Sequence, residues 1–134
     1  LEAIDLRESI YRVFTALIDQ RTIEAEDLVR ISASLQTGIA RAALQEKAGG
    51  FSWGWREEEA DGHLLLWPAA HSAALLLTDE KLRGRVRQCA DEHGCGVLFL
   101  DQTRNGSRRW CSMRSCGNRA KARRHYAHKR EVSA

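Results

Sequence analysis

Leu6, Ile10, Val13, Phe14, Leu17 and Ile18 fall at helical spacings and lay one apolar stripe along a helix over residues 3–19. A second helix is predicted from about Thr22. Glu24, Glu26 and Asp27 stand in its first turns, where negative charge suits the helix dipole. Leu28, Ile31, Leu35, Ile39 and Ala42 keep the helical period, and Gly49-Gly50 closes it. The period then shortens. Phe51, Trp53 and Trp55 alternate with small or polar residues, as on a strand. A polar turn, Glu57 to Gly62, and a return strand, Leu64 to Trp67, would complete a hairpin over 51–67. Pro68 suits the first turn of a helix over 68–77, and Thr78 the cap of another, with Leu82, Val86 and Cys89 along its stripe. Further on, Val97 to Leu100 reads as a strand, Asn105-Gly106 as a hairpin turn, Arg108 to Cys111 as the return strand, and 113–130 as a helix. The pattern is α+β: N-terminal helices with a β-hairpin, then a small module of knuckle, β-hairpin and C-terminal helix. The break is placed after residue 88, giving domains 1–88 and 89–134.

Charge sharpens that division. Residues 1–60 carry a net −4, whereas residues 101–134 carry ten basic against two acidic side chains, a net +8. A terminal block so basic points to a polyanion, nucleic acid above all. With 134 residues, 43% of them apolar, the chain is long enough for a core of its own. No stretch approaches the ~20 apolar residues that span a bilayer, and no signal segment opens the chain, so a cytoplasmic protein without membrane contact is expected. Leu1 stands where a Met would begin a complete chain, and the sequence reads as part of something longer.

The four cysteines, Cys89, Cys95, Cys111 and Cys116, all fall within 28 positions. Disulfides belong to oxidising compartments and to chains too small for a core, and neither condition holds. A catalytic thiolate needs an oriented base; His93 is the nearest histidine, and three further thiols would stand idle. Two ligand pairs separated by a short hairpin suit a structural Zn2+ held by four thiolates, a closed site with no place for a substrate water. Catalysis is therefore not expected. The run Glu57-Glu58-Glu59 has no base or nucleophile beside it and reads as a solvated turn. Trp53, Trp55 and Trp67 are assigned to the hairpin–helix core, Trp110 to packing in the small module, and His63 and His71 to structural roles.

The segment "RRWCSMRSCGNRAKARRH" carries Cys116-Gly117-Asn118-Arg119, and "CGVLFLDQTRNGSRRWCSM" precedes it. Together they resemble bacterial CGNR zinc-finger proteins. "LLWPAAHSAALLLT" and "LRGRVRQCA" are similar to the end of the ABATE domain that accompanies that finger. The resemblance implies a zinc held by the cysteines and a stress-related transcription regulator that binds DNA. It also implies an ABATE domain shortened at its N-terminus, because the family has more chain before the first helix.

On a helix from 113, Arg119, Arg123, Tyr126 and Arg130 share a face that would fit a major groove about 12 Å wide. Lys121 and Arg124 add charge to the same helix, and Arg108, Arg109 and Arg114 would meet phosphates. Double-stranded DNA is thus the expected partner, with a homodimer through the N-terminal domain as a further possibility. A zinc-stabilised protein–protein interaction module is the alternative. Asn118 reads first as a buried amide bonded to the knuckle and second as an adenine contact. Arg119 reads either as a DNA contact or as a strut to Asp91, Glu92 or Asp101.

Overall fold

The computed structural model describes residues 2–55, 65–91 and 94–132. The chain divides into two compact units, 1–83 and 84–134.

The first unit contains α1 (Glu2–Ile18), α2 (Ala25–Ala40), β1 (Ala42–Lys47), β2 (Gly50–Trp55), α3 (Leu66–Thr78) and the short α4 (Glu80–Arg83). The predicted stripe of α1 is the one that packs: Leu6 and Val13 join Ile31 and Ala70 in the core, flanked by Ile10, Leu17, Leu35, Leu66 and Leu77. Burying a side chain of this size contributes roughly 1.5–3 kcal/mol. One polar tie reinforces the α1–α2 contact. Arg12 donates through Nε to Asp27 Oδ2 at 3.0 Å and through Nη2 to Ser9 Oγ at 3.2 Å, with a second arm on Asp27 Oδ1.

The hairpin differs from the one expected. Residues 42–47, all helix formers or nearly so, leave the helix and pair antiparallel with β2, from Ala42 opposite Trp55 to Lys47 opposite Gly50. Local propensity favours a helix here by tenths of a kcal/mol per residue, and strand pairing overrides it. Gly49, at φ +85°, supplies the turn that a residue with a side chain adopts only with strain. The predicted return strand at 64–67 is not one: Leu66 and Trp67 already belong to α3, with Pro68 in its first turn, where a missing N–H costs no helical bond. The Glu57–Glu59 run, His63 and Leu64 lie outside the described residues.

Gly38 explains how α2 and α3 approach. A Cβ at this position would lie 2.7 Å from Trp67 Cβ, so only glycine admits the tryptophan, which is buried. The Gly38 carbonyl in turn accepts the Trp55 indole N–H at 2.6 Å. Trp55 lies 6.3 Å from Trp67, and Trp53 stands edge-on to His71 at 4.7 Å. Trp67 and Trp55 thus fill the hairpin–helix contact as expected, while Trp53 remains half exposed.

The boundary of α3 and α4 also shifts. Thr78 ends α3, its hydroxyl donating back to the Ala74 carbonyl at 2.8 Å, and Asp79 is the cap, accepting from the Leu82 N–H at 3.0 Å. The helix then stops after four residues. Val86 and Cys89 do not continue its stripe, because Val86–Gln88 forms β3 in the second unit.

The second unit pairs β3 with β4 (Leu98–Leu100), from Val86 opposite Leu100 to Gln88 opposite Leu98. A π-helical turn, Met113–Gly117, then leads into α5 (Asn118–Val132). The expected return strand at 108–111 is absent, and Asp101 is the reason. Its buried carboxylate accepts from the Thr103 N–H at 2.9 Å, the Thr103 hydroxyl at 2.6 Å and the Arg108 N–H at 3.0 Å. The Asn105-Gly106 turn forms, with Gly106 at φ +63°, but the chain after it is drawn beside the knuckle, where Ala90 N–H donates to the Arg109 carbonyl at 2.8 Å. Knuckle, hairpin and C-terminal helix are all present, but the hairpin's strands are 86–88 and 98–100, one on each side of the knuckle and not both after it.

Candidate metal centre

Cys89 follows directly on β3, and Cys95 is reached by a turn in which its N–H donates to the Asp91 carbonyl at 3.2 Å. Cys111 lies just before the π-helical turn and Cys116 inside it. Ser112 caps that turn through its hydroxyl, which accepts from Ser115 N–H at 3.4 Å. These elements bring the four sulfurs within 4.8 Å of one another. Cys95 and Cys111 are 3.6 Å apart at sulfur, and Cys111 and Cys116 3.7 Å. A disulfide needs about 2.05 Å, so none is formed. A tetrahedron of sulfurs around zinc at about 2.3 Å has edges of roughly 3.8 Å. The spacing therefore fits zinc, and so does the donor chemistry, all soft sulfur.

The electrostatics of the cluster favour a cation at its centre. Burial opposes ionisation of Cys89, but N–H groups of Cys111 and Asp91 and the neighbouring thiols outweigh it and bring its pKa down to about 7. Cys111 is pushed up to about 12 by burial and by the three sulfurs around it. Burial likewise raises Cys116. The Cys111 and Cys116 thiols resist ionisation, a cost that a dication at the centre removes.

Around the sulfurs stands a charged brace. Asp91 is 1% exposed. Arg119 donates to its Oδ2 through Nε at 3.1 Å and Nη2 at 2.8 Å, and Arg123, one turn along α5, takes Oδ1. Arg119 Nη2 also reaches the Cys116 sulfur at 3.2 Å. The two guanidinium groups hold the Asp91 carboxyl below the usual range against the opposing effect of burial. Asn118 donates to the Arg114 carbonyl at 3.1 Å and is exposed, so it serves the backbone of the turn without being buried. A Cβ on Gly117 would press only on the flexible end of Met113.

The basic residues separate into two groups. Arg108 lies over the Phe99 ring at 4.7 Å and donates to the carbonyls of Trp110 and Cys111; Arg109 lies 5.2 Å from the Trp110 ring. Arg119 and Arg123 are engaged by Asp91. Arg114, Lys121, Arg124 and Arg130 are exposed and carry no ion pair among the described residues. At 3.6 residues per turn, Lys121, Arg124 and His128 lie on the side of α5 opposite Arg119 and Arg123. Sequence reasoning passed over Arg104, an exposed cation beside the Asn105-Gly106 turn, whose only signal was its place at a loop tip. It also missed that Asp91 takes two arginines, since one carboxylate two positions after a cysteine gives no warning of it. Glu92 and His93 are outside the described residues.

A four-sulfur cluster at the foot of a basic helix defines a zinc-finger module, and the family comparisons agree. Residues 85–129 match the CGNR zinc finger. Residues 1–80 match the family described as "Putative stress-induced transcription regulator", ABATE, and the chain belongs to that family. No match is found among curated proteins. The chain is thus a zinc-binding member of a regulator family, and among the described residues no helix is long and apolar enough to cross a membrane.

Proposed function

We propose that the protein is a transcription regulator that binds double-stranded DNA through its second unit. In this reading Cys89, Cys95, Cys111 and Cys116 hold a structural zinc. Four thiolates leave no open coordination position, so the metal shapes the module and does not carry out catalysis. Its work is to fix the knuckle and the start of α5, so that the helix presents its charges in a set orientation.

The observation that carries the reading is the division of cations on α5. Asp91 ties down Arg119 and Arg123, leaving Lys121 and Arg124 on the outer face, with Arg114 exposed at the start of the helix and Arg130 near its end. Cations with no protein partner on one ordered helix suit phosphates, and an α-helix fits the major groove. The DNA face is then Lys121–Arg124–His128 and not the Arg119–Arg123 face that helical spacing alone suggests. The test is duplex binding by zinc-loaded protein in a salt series. Affinity is expected to fall steeply between about 50 and 200 mM salt. Absence of any duplex binding at low salt overturns the reading.

A further inference from the structure

Residues 101–108 of the second unit, Asp-Gln-Thr-Arg-Asn-Gly-Ser-Arg, form a loop after β4 with a turn centred on Arg104 and Asn105. Small polar residues in a surface loop give it freedom to move. This loop is tied down instead. The Asp101 carboxylate, fully buried, accepts from the N–H and hydroxyl of Thr103 and from the N–H of Arg108, so it joins the start of the loop to its end. Thr103 Oγ1 accepts from Ser107 N–H at 3.1 Å, and the Thr103 carbonyl accepts from Gly106 N–H at 3.3 Å. Arg85, just before β3, donates through Nη1 to the carbonyls of Asp101 at 3.1 Å and Thr103 at 2.8 Å.

The frame holds two exposed side chains at its tip, Arg104 and Asn105. The Ser107 hydroxyl donates to Asn105 Oδ1 at 2.9 Å, which leaves the amide N–H groups as the outward end of that side chain. The Arg104 guanidinium has no partner among the described residues. The tip therefore offers N–H donors and a positive charge. The one acid of the loop lies beneath it with both oxygens occupied. The complement of such a tip is an anion that only accepts hydrogen bonds, as a phosphate does. Because the loop is already ordered, little conformational freedom is lost on binding. The tip also belongs to the segment 101–134, whose net charge is +8.

We propose that the Arg104-Asn105 turn is a second anchor for duplex DNA, with the Arg104 guanidinium on a backbone phosphate and the Asn105 amide donating beside it. The inference rests on the duplex-binding reading above and adds a contact that α5 does not supply. Phosphate contacts fix register and orientation, and contacts from two elements restrain a helix from turning about its own axis.

The experiment measures binding of zinc-loaded full chain to one AT-rich and one GC-rich duplex in a salt series. Arg104→Ala is expected to weaken both about eightfold at ~0.1 M salt and to reduce the slope of log K against log salt by about 0.9, the loss of one phosphate contact. Arg104→Lys, which keeps the charge and loses the planar fork, is expected to restore the slope. Arg7→Ala removes an exposed charge from the first unit and is expected to leave the slope as it is. Arg104 has no partner to lose, so its variants are expected to keep the parent's zinc content and melting temperature. If the parent binds duplex and Arg104→Ala has the same affinity and slope, this inference is overturned and the α5 reading stands; a tip that serves an acidic protein surface gives that result. A loss confined to one of the two duplexes, or a slope lowered as much by Arg7→Ala, overturns it as well. A parent that binds no duplex overturns both.

Discussion

Arg119 places two N–H donors on one oxygen of Asp91, at 3.1 and 2.8 Å, across 28 positions of sequence. The bond joins the segment between two cysteines to the first turns of α5, and the same Nη2 also reaches the Cys116 sulfur. The Arg of the Cys-Gly-Asn-Arg motif is thereby part of the architecture around the sulfurs.

Replacing Asp91 by Asn keeps the shape and removes the charge. Arg119 and Arg123 lose their shared anion, and the start of α5 should open more readily. Faster amide exchange over residues 118–126, with the exchange of α1 and α2 unchanged, is the expected result. Unchanged protection along α5 would show that the brace is incidental.

Each single Cys→Ser change at 89, 95, 111 or 116 should lower zinc well below one ion per chain and abolish the ordered fold of residues 84–132, since structural zinc supplies on the order of 10–16 kcal/mol in finger peptides. Zinc analysis beside far-ultraviolet circular dichroism checks this. Full zinc content in any one of the four variants would remove that cysteine from the ligand set.

Lys121→Ala together with Arg124→Ala should weaken binding to all duplex sequences alike and reduce the slope of log K against log salt by about 0.9 for each phosphate no longer neutralised. Zinc content should stay at the parent value. Arg123→Ala should have the opposite profile, a looser helix with a smaller change in slope. A slope that responds to Arg123 and ignores the outer pair would assign the wrong face.

Gly38→Ala forces a methyl to within 2.7 Å of Trp67 Cβ, inside a packed contact that has no flexible end to yield. Overpacking of this kind costs about 1–3 kcal/mol, and a melting temperature lower by several degrees is expected, with altered tryptophan fluorescence. A parent-like melt would mean that α2 and α3 separate at little cost.

Asp27 titrates below the ordinary carboxylate range, first because Arg12 donates to it, with Ser9 helping and burial opposing. A depressed carboxylate contributes stability that is fully present above its unfolded value, about 3.9, and is lost as pH falls through the lower folded value. The first unit should therefore keep its stability from neutral pH to about 4 and lose it below. In Asp27→Asn the melting temperature should be lower at pH 7 and less dependent on pH in the acid limb. An identical acid limb in parent and variant would exclude this pair as its source.

The helices and the cysteine cluster were legible because each depends on a regular spacing or a rare residue type. Leu6, Val13 and Ile31 declare their faces by period alone, and four cysteines within 28 positions declare a common purpose. What escaped was decided by particular pairings that spacing and propensity do not reveal. Residues 42–47 have helical propensity and become a strand because β2 lies two residues beyond. Residues 108–111 alternate like a strand and become a loop because the Asp101 carboxylate captures the Arg108 N–H. On α5 spacing shows which cations share a side, and only the structure shows that Asp91 engages Arg119 and Arg123.

The π-helical turn at Met113–Gly117 has a bearing on every residue after it. It contains one more residue per loop than an α-turn, and each residue of a helix advances the next by about 100°. Removing a single position between Cys111 and Cys116 would swing Lys121, Arg124 and Arg130 together by that angle. The phase of the whole cationic array is thus set ahead of the first of these three side chains, and natural variation in the length of this turn would re-aim the helix without altering one of its charges.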